Sequence, residues 1–252
     1  MSEEFKYLLK TKFNQYFNEE AAPELIEACA AHYNLLIEYN EKFNLTRITD
    51  AISSVLLHYI DSFFIIKSCE ARILKDGVNI CDIGSGGGFP ALPLFYFINY
   101  HAGVKNAKMT LIESSNKKAG FLDTVICAAG LSKSIRTAPL RIEEAGAAPK
   151  FREKFDIVTA RALAALPTLL EYASPLVKTG GVCLLMKGED IEAEKNSSKT
   201  ALTELKLKLT GDFVYEIETM QYKRRVLSAE KTGVLSKKYP RQPGMAKKTP
   251  II

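Results

Sequence analysis

The chain contains no tryptophan and only three histidines, His32, His58 and His101, scattered over 252 residues. Its five cysteines, Cys29, Cys69, Cys81, Cys127 and Cys183, include no Cys-x-x-Cys pair. That spacing offers no zinc-ligand set, so no metal is expected, and the odd count argues against a disulfide framework. Buried free thiols are the expectation. No run of about 18 uncharged apolar residues is present, so no membrane span is expected. The start Met1-Ser2-Glu3-Glu4 lacks the basic residues and apolar stretch of a secretory signal, which makes a cytoplasmic protein the expectation. Acid is scarce at one end. Residues 222–252 hold nine Lys/Arg against the single acid Glu230, a local charge of +8 that leaves −3 for residues 1–221 of a +5 total. Such asymmetry suggests an anionic partner at the C-terminal end.

What is present is an ordinary globular composition, 47% apolar and 25% charged, enough to bury a sizeable core. Residues 3–17 and 23–40 carry apolar positions at helical spacing, with Pro23 suited to a first turn. Asp50 is placed to cap a third helix reaching about Leu74. Residues 1–75 thus read as a helical cap without strands, and 76–252 as a second unit. From Val78 the character changes. Strands are expected at Val78–Ile83, Lys108–Glu113, Ser134–Ala138, Phe155–Ala160, Val182–Met186, Phe213–Ile217 and Val226–Ala229. Helices fall between most of them, including Ala162–Val177 and a polar one over about Ile191–Lys208. Residues 96–107 read as a polar connection and Thr179-Gly180-Gly181 as a turn. Strand–helix alternation implies an α/β fold with a doubly wound, mostly parallel seven-stranded sheet, its last two strands antiparallel. The segment from Ser236 to Gly244 is too rich in Pro, Gly and charge for a regular element.

The most informative stretch is Ile80-Cys81-Asp82-Ile83-Gly84-Ser85-Gly86-Gly87-Gly88-Phe89-Pro90. A buried strand running into a glycine turn and then a helix places a nucleotide-like ligand against backbone N–H groups. The dinucleotide fingerprint needs glycine at its first, third and sixth positions. Counting from Gly84, the sixth position is Phe89, which disfavours a nicotinamide dehydrogenase. Gly-x-Gly-x-Gly with Asp82 just ahead resembles the first motif of class I S-adenosylmethionine-dependent methyltransferases. Asp82 then faces the cofactor's ammonium group, and Gly84, Ser85, Gly86 and Gly88 line its methionyl part. Glu113, at the tip of the next strand, suits two ribose hydroxyls, with Ser114 beside it.

Further blocks make the resemblance specific. They are Phe43-Asn44-Leu45-Thr46, His58-Tyr59-Ile60-Asp61-Ser62, Ile112-Glu113-Ser114 with Lys117-Lys118, Arg141-Ile142-Glu143, Thr159-Ala160-Arg161-Ala162 and Tyr239-Pro240-Arg241. Together with the glycine stretch they resemble the bacterial small-subunit rRNA (guanine-N7)-methyltransferase family, also called the glucose-inhibited division protein B family. Ala91 and Gln242 depart from its usual glycine and basic residue. The resemblance implies methyl transfer from S-adenosylmethionine to N7 of a guanine in the decoding region of 16S rRNA, by a monomer acting on the small ribosomal subunit. It carries cofactor contacts over to Gly84, Phe89, Ile142, Glu143 and Arg161. Arg161 is the expected catalytic residue, holding the cofactor carboxylate, guanine O6 or a phosphate. RNA contacts are expected from Asn44, Arg224, Arg225, Lys237, Lys238 and Arg241, with Tyr239 either stacked on a base or packed in the core. Asn44 and Asp61 read equally as a cap–core joint or as a wall of the guanine pocket. A small-molecule or protein methyltransferase, or a non-catalytic ribosome-assembly protein, are the competing readings.

Overall fold

A computed structural model of the chain describes residues 2–218 and 220–252. Helix α1 (Ser2–Phe17) buries Phe5, Leu9 and Phe13, spaced four apart along one face. Helix α2 (Pro23–Phe43) begins on Pro23, where an absent N–H costs nothing, and ends on Asn44 in the left-handed conformation at φ +50°. Asp50 caps α3 (Ala51–Ser54) by accepting from the Ser53 N–H at 2.8 Å. The helix runs on through a π-helical stretch, Val55–Ile60, into α4 (Asp61–Ser68), and breaks at Cys69 before the single turn α5 (Glu70–Ile73). The Ser68 hydroxyl donates to the Ile65 carbonyl at 2.6 Å, and such local bonds compete with helix continuation. The helix expected to reach Leu74 is therefore shorter. Ala51–Ser68 is long and apolar enough in composition to cross a membrane; in the fold it is a core helix, 67% buried.

The remaining elements alternate. They are β1 (Asn79–Ile83), α6 (Ala91–Tyr96) with a π-helical continuation Phe97–His101, β2 (Lys108–Ile112), α7 (Asn116–Ala128), β3 (Ile135–Ala138), α8 (Ile142–Ala147), β4 (Phe155–Arg161), α9 (Leu166–Ala173), β5 (Val177–Lys187), α10 (Glu192–Ser197), α11 (Lys199–Glu204), β6 (Leu207–Tyr215), β7 (Arg224–Lys231) and α12 (Met245–Lys248). The seven strands lie in the order β3-β2-β1-β4-β5-β7-β6. Pairings from β3 through β5 are parallel, and β7 runs antiparallel to both β5 and β6. The expected doubly wound α/β sheet is present. Its order reverses between β1 and β4, where ligands of such sheets bind beyond the strand C-termini.

Alternating strand residues feed two cores. Ile80, Met109, Leu111, Ile157, Val182 and Leu184 face the N-terminal helices together with α6 and α7. Cys81, Ile112, Val158, Cys183, Leu185 and Leu227 face the other side, against α9, α11 and the tail. The N-terminal helices thus form the layer covering one sheet face and share its core.

Three local expectations are corrected. Gly180 and Gly181 lie inside β5 as an irregularity of its pairing with β4. A Cβ on Gly181 would sit 2.7 Å from the Asp156 carbonyl oxygen, so the close strand approach demands glycine. The polar helix over 191–208 is two short ones, because the Ser197 and Ser198 hydroxyls donate back to the Glu194 carbonyl at 3.1 and 2.6 Å. Phe97 and Ile98 are buried in the helix continuation, so the connection over 96–107 is shorter than expected. The irregular tail packs on the second sheet face: Leu235, Tyr239 and Ala246 are buried. Arg152 holds it by donating to the carbonyls of Leu235, Ser236 and Tyr239 at 3.2, 3.2 and 2.7 Å. Those bonds satisfy backbone groups that have no ladder partner.

Candidate active site

At the C-terminal end of β1 the chain turns through Gly84–Gly88. Gly84 has φ +70° and Gly88 φ +92°. A Cβ at Gly84 would meet the Leu163 side chain at 2.7 Å, and one at Gly88 the Leu92 side chain at 2.6 Å. The glycines therefore serve close packing and left-handed turns. Most of their N–H groups are engaged inside the protein. Gly84 and Ser85 donate to the Ile112 carbonyl at 2.9 and 3.3 Å, Gly88 to the Ser85 carbonyl at 2.7 Å, and Gly86 to Glu113 Oε2 at 2.9 Å. The expected row of glycine N–H donors is thus corrected: contact with the end of β2 engages those of Gly84 and Gly86, and Gly88 donates within the loop.

Glu113 joins the two loops. Its Oε2 accepts from Gly86 and its Oε1 from the Ser115 N–H at 2.8 Å, with 7% of the residue exposed. Each carboxylate oxygen retains a lone pair for a ligand hydroxyl. Asp82 lies 1% exposed, with Oδ1 accepting from the Thr159 hydroxyl at 2.6 Å and Oδ2 without a partner. A buried carboxylate oxygen left open is costly unless a ligand completes it. Burial pushes the Asp82 carboxyl up to about 6, against the pull of Thr159 and Arg161.

Phe89 is the hub between loop and cap. Its ring stacks on His58 at 4.4 Å and 19°, lies 4.9 Å from His32, meets Tyr59 edge-on at 5.2 Å, and has the Arg161 guanidinium 5.3 Å above it. His32 bridges the Gly87 carbonyl (2.9 Å) and the Tyr59 hydroxyl (3.2 Å). Arg161, at the end of β4, donates to the Leu57 carbonyl at 2.9 Å, Asp61 Oδ2 at 3.0 Å and His58 Nδ1 at 3.3 Å. Asp61, 1% exposed, also accepts from Arg224 at 2.8 Å and from the Tyr215 hydroxyl at 2.7 Å. Of its two sequence readings, the cap–core joint is what the geometry displays.

The buried histidines give the fold an acid limit. Burial drives His32 down to about 4. Burial, then the neighbouring Arg161 charge, takes His58 to about 3. Both are neutral in the folded chain, while an unfolded imidazole takes a proton as pH falls through 6.5. Each therefore costs stability below pH 6.5, roughly 2 kcal/mol at pH 5. Asp82 has the opposite sign: its raised pKa favours the fold between pH 6 and 3.8 by about 1 kcal/mol. The expected net loss from these three groups at pH 5 is about 2–3 kcal/mol relative to pH 7. Asp82→Asn removes the offset, so its acid loss is steeper. Urea midpoints at pH 7 and 5 measure both, and a wild-type midpoint unchanged at pH 5 would refute the account.

Beyond Leu163 opens a cleft of about 540 Å³, lined by Ser114, Ile142 and Glu143 on one wall and by Gly244, Lys247 and Lys248 of the tail on the other. Ser114, which follows Glu113 in the chain, and Ile142 both line this cleft. Glu143 is turned to the tail, its Oε1 accepting from the Gly244 N–H at 2.8 Å. The expected RNA residues do not gather on one surface. Asn44 is exposed at the end of α2, and Lys237 is exposed on the tail. Arg224 pairs with Asp61, Arg225 with Asp212 at 2.8 Å, and Lys238 with Glu204 at 3.0 Å. Arg241 grips the buried Glu171 through Nε at 2.9 Å and Nη2 at 2.5 Å. For Arg224, Arg225 and Arg241 the phosphate assignment is corrected: internal carboxylates already hold their guanidinium groups. Tyr239 is a core residue whose hydroxyl donates to Glu204. Sequence reasoning missed His32, Leu163, Glu171 and Tyr215, which no motif marks.

The family model of rRNA small subunit methyltransferase G matches residues 25–223. The ribosomal RNA small subunit methyltransferase G of Desulfitobacterium hafniense is 35% identical over 252 residues, covering 100% of both chains. That of Caldanaerobacter subterraneus subsp. tengcongensis is 38% identical over 226 residues, covering 90% of each. In structure the chain is similar to the Bacillus cereus O-methyltransferase solved with SAH, at a TM-score of 0.55 and 16% identity, over 92% of this chain and 100% of that one. The [4+2]-cyclase SpnF gives a TM-score of 0.55 at 13% identity, over 84% of this chain and 98% of that one. These two likenesses establish the shared fold.

Proposed function

The chain belongs to the rRNA small subunit methyltransferase G family, and we propose that it methylates N7 of a guanine in the decoding region of 16S rRNA, using S-adenosylmethionine. The observation that carries the cofactor reading is the open Oδ2 of buried Asp82, on the strand next to the one that Glu113 ends. That pair fits the cofactor, an ammonium for Asp82 and a ribose diol for Glu113, and Ser114 and Ile142 border the adenine side. When bound, S-adenosylmethionine supplies an electrophilic methyl group on a sulfonium.

The chain's residues position the acceptor. Guanine N7 has a free lone pair and no proton, so the displacement needs no general base. Holding the two reactants in line can supply up to about 7–11 kcal/mol of rate enhancement. Arg161 acts as a positioning residue: it fixes Phe89, and through it the glycine loop, against the cap. The C-terminal ends of β4 and β5 and the start of β7 form the acceptor side, where a cavity of about 180 Å³ is lined by Ala162, Leu163, Met186 and Arg224.

The test is transfer of labelled methyl from S-adenosylmethionine to 16S rRNA and to small ribosomal subunits, followed by borohydride and aniline treatment of the product. Strand cleavage at one guanine is expected. No transfer to either RNA would sink the function, and transfer without cleavage would sink only the N7 assignment.

A further inference from the structure

We propose that the C-terminal tail is a latched strap that completes a phosphate seat, formed by Arg141, Lys247 and Lys248, for the backbone of the RNA strand bearing the methyl acceptor. This inference rests on the rRNA methyl-transfer reading. The strap lies beyond residues 25–223, so the family match does not cover it.

Four anchors fix the strap. Arg152 holds the carbonyls of Leu235, Ser236 and Tyr239. Arg241 is forked onto Glu171, which is 1% exposed. The Gly244 N–H donates to Glu143, and the Thr168 hydroxyl donates to the Ala246 carbonyl at 3.0 Å. The irregular cationic segment is thus fastened through buried acids. Its Arg241 is consumed by the fastening, and α12 follows at once.

What the fastening achieves is the placing of Lys247 and Lys248 on the 540 Å³ cleft that Ser114 and Arg141 also line. Among the described residues no carboxylate lies within 4.0 Å of these three cations, in contrast to Lys238 and Arg241. The acids closest in sequence are already occupied. Glu143 accepts from Gly244, and Glu144 accepts from the Arg141 N–H at 3.1 Å. Three cations against the single carboxylate of Glu143 give this cleft a net positive charge that attracts an anion, and lysines bind phosphate as point charges. The cofactor's own charged end belongs with Asp82, on the cap side of β1. The cleft is bordered by Leu163, whose side chain lies against Gly84. An RNA strand entering the acceptor cavity over the Ala162–Ala165 loop passes directly across this cleft, since Leu163 and Ala164 line both cavities.

The experiment compares full-length wild type with K247A/K248A and K247R/K248R. It reads KM for 16S rRNA, the slope of log KM against log salt, and the dissociation constant of S-adenosylhomocysteine. The alanine pair is expected to raise KM about tenfold and to flatten the salt slope by about 1.4, the value for two single-strand phosphate contacts. Cofactor-product affinity should stay within about twofold, and the arginine pair should restore KM. Inorganic phosphate at constant ionic strength should compete with RNA for wild type and lose that effect in the alanine pair. An unchanged KM and slope would overturn the proposal. So would a cofactor-product affinity that falls in step with KM, or phosphate inhibition that is not competitive with RNA. A wild type that methylates no rRNA defeats the underlying reading; an active wild type with an indifferent alanine pair defeats the seat alone.

Discussion

Asp61→Ala is expected to cost about 3–5 kcal/mol of folding stability, the range for removing one partner of a buried ion pair. For a chain of this length that lowers the melting temperature by roughly 10 °C or more. Among the described residues Asp61 is the only carboxylate bonded to Arg161, Arg224 and the Tyr215 hydroxyl. Without it two largely buried guanidinium groups, with side chains 12% and 18% exposed, face each other across the cap–core joint. Arg161→Ala is milder in stability, about 1–2 kcal/mol, because Asp61 keeps Arg224 and Tyr215. Its effect falls on methyl transfer, through loss of the Phe89 clamp. Removing the acid and one cation together should cost less than the sum of the two single changes. Urea unfolding of the four proteins measures this cycle. An Asp61→Ala protein within 1 kcal/mol of wild type would show that the joint is not what binds cap to sheet.

This cluster also marks where a sequence stops being readable. The seven strands announced themselves because buried parallel strands are continuous apolar runs, and Val78–Ile83 or Phe155–Ala160 can hardly be anything else. Asp82 and Glu113 were legible because each ends such a strand. The partners of Asp61 lie 100 and 163 residues away. Glu171 and Arg241 are 70 apart. No local pattern encodes such pairings. A count of +8 in the last 31 residues is correct as charge and misleading as surface, since Arg224, Arg225 and Arg241 serve acids supplied by α4, β6 and α9. The two lysines that do line the cleft, Lys247 and Lys248, carry the same local signal as Lys237 and Lys238. Only the latching of the strap separates them. Serine posed the same difficulty on a smaller scale: Ser68, Ser197 and Ser198 interrupt helices by bonding backwards, which periodicity of apolar residues does not register.

Glu113→Ala is expected to weaken cofactor binding by about 100- to 1,000-fold, or roughly 3–4 kcal/mol, while leaving the sheet folded. Two losses combine. One is the acceptor for the ligand's ribose hydroxyls. The other is the bridge by which a single carboxylate holds the Gly86 and Ser115 N–H groups, and so the spacing of the two ligand loops. The bridge makes a distinctive claim about glutamine. In Glu113→Gln one oxygen becomes an NH2 donor, which then points at a backbone N–H that can only donate. Glutamine should therefore lose nearly as much affinity as alanine, although it is isosteric. Glu113→Asp keeps two acceptors on a stem one methylene shorter, so it can serve one N–H and should fall between. Titration calorimetry with S-adenosylhomocysteine ranks the variants, and hydrogen exchange at Gly86 and Ser115 reports the bridge without any ligand. If glutamine bound like wild type while exchange at Gly86 stayed slow, the glycine loop would be held by its bonds to Ile112 and Ser85 alone. Faster exchange at Gly86 together with weak binding places the control of the cofactor site in this one carboxylate.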